Sequence, residues 1–154
     1  MSAKLRKTAA RLLVIGYGNT LRSDDGVGPR VAREVEEMQL PGVSAIVCDL
    51  LTPELADPIS KADAVVFVDA AIDEPREVLL RPLAPADSSQ IMAHAADPRT
   101  MLALARDVFG HAPKAWWLTI PIENTAIGDQ LSASAKGGMA VALEKIQALA
   151  LARA

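Results

Sequence analysis

The sequence predicts an α/β protein, a single-domain three-layer α/β/α sandwich on a mostly parallel five-stranded sheet. Five short apolar, β-branched runs read as strands, and segments with helical spacing of apolar residues alternate with them. Proline and capping residues mark where several of those segments begin. A chain of 154 residues, 51% hydrophobic and 23% charged, can bury one sizeable core, so a single domain over 1–154 is expected, with 1–10 as a flexible N-terminal extension.

The first strand is expected over Arg11–Gly18 (RLLVIGYG), followed by a helix on which Val27, Val31, Val35 and Met38 recur on one face. A second strand spans Val43–Asp49. Thr52-Pro53-Glu54 then offers an N-cap with proline at the first helical position, which opens a short helix in TPELADPIS. Strands follow over Ala64–Ala70 and Glu77–Leu83. Asp97-Pro98 repeats the capping pattern ahead of a helix carrying Met101, Leu102, Ala105, Val108 and Phe109, and Gly110 follows its last apolar turn. A strand over Ala115–Ile122 and a helix carrying Val141, Leu143, Ile146 and Leu149 complete the chain. This order covers a parallel sheet on both faces and directs attention to the carboxyl ends of its strands, where ligands bind in such folds.

Composition excludes several classes of partner. The formal net charge is −3, aromatic residues make up 3% of the chain, and no basic cluster is interleaved with aromatics, so neither nucleic acid nor an anionic membrane is expected as a partner. The N-terminal apolar run stops after a few residues and Asp24 and Asp25 follow closely, unlike a signal peptide, and no run approaches membrane-spanning length. A cytoplasmic location is expected. The lone cysteine, Cys48, rules out an internal disulfide, fits a reducing compartment, and reads as a small buried strand residue.

The stretch GYGNTLRSDDGVGPRV, Gly16 to Val31, admits three readings. A phosphate cradle fits poorly, because Leu21 stands where the third glycine of a dinucleotide fingerprint belongs and two carboxylates at the helix mouth would repel a pyrophosphate. A helix cap accounts for one of Asp24 and Asp25, but leaves the other, and Asn19, unexplained. A metal or catalytic site uses both ends of the pattern, because Asp69 closes the third strand as Asp25 follows the first. Asp69 also has a plain reading, as a strand-terminal residue bonded to local N–H groups.

Of the two histidines, His111 follows Gly110 at a helix end and is expected to meet terminal carbonyls or solvent. His94 lies in a segment without periodic pattern; the 13 residues from Ala84 to Ala96 can extend about 40 Å, enough to reach the strand ends. Asp25, Asp69 and His94 would supply two oxygens and a nitrogen to a metal with positions left open.

GYGNTLRSDDGVGPRV resembles the N-terminal signature of hydrogenase maturation proteases. LLTPELADPISKADAVVFVDAA is similar to the family's segment leading to its strand-end aspartate, and MAHAADPRTMLALARDVFGHAPKAWWLTIPIENTAIGDQLS to its histidine loop, helix and last strand. The resemblance spans Arg11 to Ile146. It implies an endopeptidase that removes a short C-terminal peptide from the precursor of a nickel-iron hydrogenase large subunit after nickel insertion. The family's metal-contacting positions fall on Asp25, Asp69 and His94, which also take the catalytic role. The nickel would come with the substrate precursor, and another divalent metal is an option for the isolated protein. Some members carry glutamate at the first of these positions, and some a glycine-rich turn where this chain has DLLTPE.

Asn19, Asp24 and the backbone at Gly26 are expected to contact the substrate chain, with helix capping, orienting a ligand and assisting proton transfer, in that order, as further roles for Asp24. Glu123 and Asn124 can line the cleft, and Trp116 and Trp117 alternate across their strand without a catalytic role. No G-x-S-x-G elbow or H-E-x-x-H helix is present, and Cys48 has no acid–base motif beside it. Two other classes compete: a non-catalytic module that binds a metal centre or partner chain during assembly, and a nucleotide-binding enzyme, disfavoured by Leu21.

Overall fold

The computed structural model describes residues 10–72, 76–90 and 97–153, so most of the expected N-terminal extension lies outside it. Strands β1 (Leu12–Tyr17), β2 (Val43–Cys48), β3 (Ala64–Ala71), β4 (Leu79–Leu83) and β5 (Lys114–Pro121) form one sheet in the order β2-β1-β3-β5-β4. All neighbours are parallel except β4, which runs antiparallel to β5 at the edge. The α/β/α sandwich is as expected. After β1 the chain steps outward to β2, then returns to place β3 on the other side, so the topological switch point lies between β1 and β3.

Alternation along the central strands splits the core into two apolar layers. Leu12, Val14, Val66, Val68, Leu118 and Ile120 pack against helices α1 (Val27–Met38) and α4 (Ala133–Ala152). Leu13, Ile15, Val65, Phe67 and Ala115 pack against α2 (Ala56–Lys61) and α3 (Pro98–Phe109). Two glycines of the first motif set the distance between layers. A Cβ on Gly16 would collide with the backbone of Gly28, and one on Gly28 would meet the carbonyl oxygens of Tyr17 at 2.5 Å and Val68 at 2.6 Å. Only bare backbone lets α1 start directly against β1 and β3.

The punctuation holds at α3, where the Asp97 carboxylate accepts from Arg99 N at 2.8 Å and Gly110 ends the helix at φ +83. Three details differ. Thr52 makes no side-chain cap; a 3-10 turn over Pro53–Leu55 leads into α2 instead. Val108 and Phe109, expected on the apolar face of α3, are 64% and 47% exposed, because the sheet has been covered by the preceding turns. In α4 the buried stripe is Ala135, Gly138, Ala142 and Ile146, and Val141 lies outside it. The stripe is small-sided because Gly138 rides against Ile120, where a Cβ would come within 2.6 Å of a methyl. Among the described residues no helix is long and apolar enough to cross a membrane.

Candidate active site

The loop from Gly18 to Gly26 carries the two adjacent aspartates. It leaves β1 through Gly18, whose φ of +145 suits only glycine, and Gly18 N donates to Asp49 O at 3.1 Å. The Asn19 side chain forms an Asx turn, accepting from Leu21 N at 2.9 Å, while Asn19 N donates to Asp25 Oδ2 at 2.8 Å. Ser23 is held at φ +52, unusual for a residue with a side chain. Its hydroxyl donates to Ala126 O at 2.7 Å and its N–H to Gly128 O at 2.9 Å, which holds that conformation in place.

Those bonds tie the loop to a second one, after β5, and Asp24 is the centre of the tie. Its carboxylate accepts from Glu123 N and Asn124 N at 3.1 Å each, from Ser132 N at 2.8 Å and from Ser132 Oγ at 2.7 Å. Burial opposes its ionisation, but the bonds from Ser132, Asn124 and Glu123 outweigh that and hold its pKa below the ordinary value. Asp24 is wholly sealed from solvent beneath the second loop, which corrects the expectation that it touches substrate. Nor does it cap α1, whose N-cap Gly26 has no side-chain bond; it braces the start of α4 together with the capping Ser132. Gly26 is buried too, with its α-carbon packed where a Cβ would meet Thr20 Cα at 2.9 Å, so packing accounts for its being glycine. Asn19, by contrast, stays exposed at the mouth.

Asp69 stands across the switch point. The register Gly16↔Val68 brings Tyr17 beside it, and the Tyr17 hydroxyl donates to Asp69 Oδ2 at 3.0 Å. Burial, with the charge of Asp25 adding to it, raises the Asp69 pKa to about 6 against the pull of the Tyr17 bond. Burial and the adjacent Asp69 likewise raise that of Tyr17. On the far side, β5 contributes Trp117, whose buried Nε1–H makes no hydrogen bond among the described residues yet lies close enough to favour the ionised forms of both Asp69 and Tyr17. Thr119, the register partner of Asp69, has a buried hydroxyl that is also unpartnered.

The structure therefore brings Asp25 and Asp69 within electrostatic reach of each other. His94, the third expected ligand, lies outside the described residues. Asp97, three residues further on, is near enough for its charge to bear on Tyr17. Among the described residues no group of three His, Cys, Asp or Glu side chains is arranged to hold a metal ion. Tyr17, Trp117 and Ser132 are contributors that sequence reasoning passed over. Strand alternation would have put Tyr17 and Trp117 on definite faces, but the register that joins them to Asp69 is not written in either strand.

The remaining candidates fall away from the centre. The Glu123 carboxylate pairs with Arg76 at 3.3 Å on the surface, and only its backbone serves the Asp24 brace. Burial and neighbouring Asp49 push the Cys48 thiol up, making it a poor nucleophile. Trp116 faces the opposite layer, beneath Arg153 at 6.0 Å, and His111 is exposed with its N–H on Ala105 O.

No family model matches the chain, and no curated protein matches it by sequence. Solved structures do match in fold. The hydrogenase maturating endopeptidase HybD from E. coli aligns with a TM-score of 0.71 at 20% identity, over 90% of this chain and 91% of that one. A hydrogenase 2 maturation peptidase from Thaumarchaeota archaeon SCGC_AB-539-E09 aligns at 0.67 and 24% identity, over 90% and 97%. The [NiFe] hydrogenase maturation protease HybD from Thermococcus kodakarensis aligns at 0.67 and 23%, over 91% and 99%. The chain has the hydrogenase maturation protease fold over nearly its whole length.

Proposed function

We propose that this chain is an endopeptidase that removes a C-terminal peptide from the nickel-loaded precursor of a nickel-iron hydrogenase large subunit. The observation that carries this reading is the meeting of Asp25 and Asp69 at the β1/β3 switch point of that fold. In this reading Asp25, Asp69 and His94 contact the nickel held by the precursor, so that cleavage waits for metal insertion. The position of His94 in the chain supports its inclusion, since three residues from Asp97 span at most about 10 Å. In the isolated protein another divalent metal can take the same ligands.

The nickel would supply a Lewis acid at the scissile carbonyl. Asn19, exposed beside Asp25, is placed to meet the substrate chain. Leu21, Leu50, Ile72 and Ile127, 59–86% exposed after β1, β2, β3 and β5, surround the same edge and favour a protein substrate over a small polar one. The reaction is assigned to the cytoplasm, without nucleic acid or membrane.

The test is the intact mass of the large-subunit precursor from the same organism, incubated with this protein with and without nickel. Loss of a C-terminal peptide in the nickel-loaded sample alone is expected. An unchanged mass with verified nickel loading, while the two proteins still associate, would transfer the assignment to a non-catalytic assembly module.

A further inference from the structure

On β3, Asp69 is the polar end of the row Val65, Phe67, Asp69. The layer facing α2 and α3 runs through Leu13, Ile15, Val65, Phe67 and Ala115, and at its upper end three adjacent strands turn polar together. Strand β1 contributes Tyr17, β3 contributes Asp69, and β5 contributes Trp117 and Thr119. Pairing of Phe67 with Trp117 and of Asp69 with Thr119 puts all four side chains on one sheet face. The Tyr17 hydroxyl is bonded to Asp69 Oδ2 at 3.0 Å; the Trp117 Nε1–H, a donor with no acceptor function, is buried and unpartnered. A buried indole N–H without an acceptor requires an explanation, and the nearby anionic oxygens supply one.

We infer that Tyr17 and Trp117 are positioning residues that hold the Asp69 carboxylate between them, the phenol from the β1 side and the indole from the β5 side. The consequence rests on the endopeptidase reading above. A carboxylate restrained from two strands cannot swing away as substrate enters, so Asp69 meets the reacting centre in one orientation. The indole bond closes when substrate fills the cleft, since catalytic hydrogen bonds often tighten only in the complex.

The indole itself provides the readout. The chain has two tryptophans, so Trp116→Phe assigns the Trp117 indole N–H peak in an amide-nitrogen correlation spectrum of the full chain. Asp69→Asn and Tyr17→Phe are each expected to displace that peak while leaving the Trp116 indole in place. With nickel-loaded precursor, Tyr17→Phe and Trp117→Phe are each expected to lower kcat roughly 10-fold or more at unchanged KM. A Trp117 peak indifferent to Asp69→Asn overturns the inference, and so does a displaced peak with kcat unchanged in both variants. If the wild-type protein leaves the precursor uncut, the endopeptidase reading fails instead, and the spectra still decide whether the clamp exists.

Discussion

Asp24 and Asp69 both sit at the carboxyl edge of one sheet, Asp24 buried and Asp69 half-buried, and their surroundings push them in opposite directions. Asp24 accepts from three backbone N–H groups and a hydroxyl, so its charge is fully answered and its pKa falls. Asp69 has one side-chain bond formed, an indole near it unbonded and Asp25 nearby, and its pKa rises to about 6. A carboxylate whose bonds are complete serves the fold. One left incompletely answered beside a second carboxylate stays available for chemistry, and perturbed groups of that kind concentrate at functional sites.

The largest break in this contrast is Asp24→Ala, which strips the acceptor from Glu123 N, Asn124 N and Ser132 at once. A loss of about 3 kcal/mol is expected, since each buried group left unsatisfied costs ~1–3 kcal/mol. Denaturant unfolding reads this as a lower midpoint. Asp69→Asn is expected to act with the opposite sign. Because the folded-state pKa of about 6 lies above the ordinary 3.8, ionising Asp69 costs the native state stability as pH rises between those values. The substitution should therefore stabilise by ~1–3 kcal/mol at pH 7.5, while precursor processing is lost, and the gain should fade below pH 4. Melting temperatures of both proteins across pH 4–8 measure it; a gain that grows as pH falls would refute the assigned environment.

Ser132→Ala probes one arm of the Asp24 brace, and with it the cap it gives Ala135 N at 3.2 Å. About 1 kcal/mol should be lost, the usual cost of an N-cap, as a modest fall in the thermal midpoint. The smallest effect is expected from Arg76→Ala, which removes an exposed ion pair with Glu123 at 3.3 Å. Stability should change by less than about 0.5 kcal/mol, and a larger loss would mean that Glu123 braces its loop through its side chain as well as its backbone.

Much of the architecture was legible because short-range patterns carry it. The alternation of Leu12 to Ile15 and Val65 to Val68 announces strands, Asp97-Pro98 and Gly110 bracket a helix, and the glycines of GYGNTLRSDDGVG mark where backbone meets backbone. Val108, Phe109 and Val141 were misjudged because periodicity says which residues share a face but not how far the sheet extends beneath it. In the site, Asp25 and Asp69 were visible as acids ending apolar runs. The division of labour between Asp24 and Asp25 was not, since neighbours in sequence look alike until the loop after β5 closes over one of them.

The sequence by itself determined the elements, their order and the set of polar side chains available at the strand ends, because helical and strand periods and turn chemistry act within a few residues. Only the tertiary structure decided that Tyr17, Asp69 and Trp117 share one notch and that Asp24 spends its charge on Ser132, 108 residues away. Those outcomes depend on strand register and on loops meeting across the sheet. Both are set by the packing of two apolar layers as a whole, a sum over distant contacts that no local stretch of residues encodes.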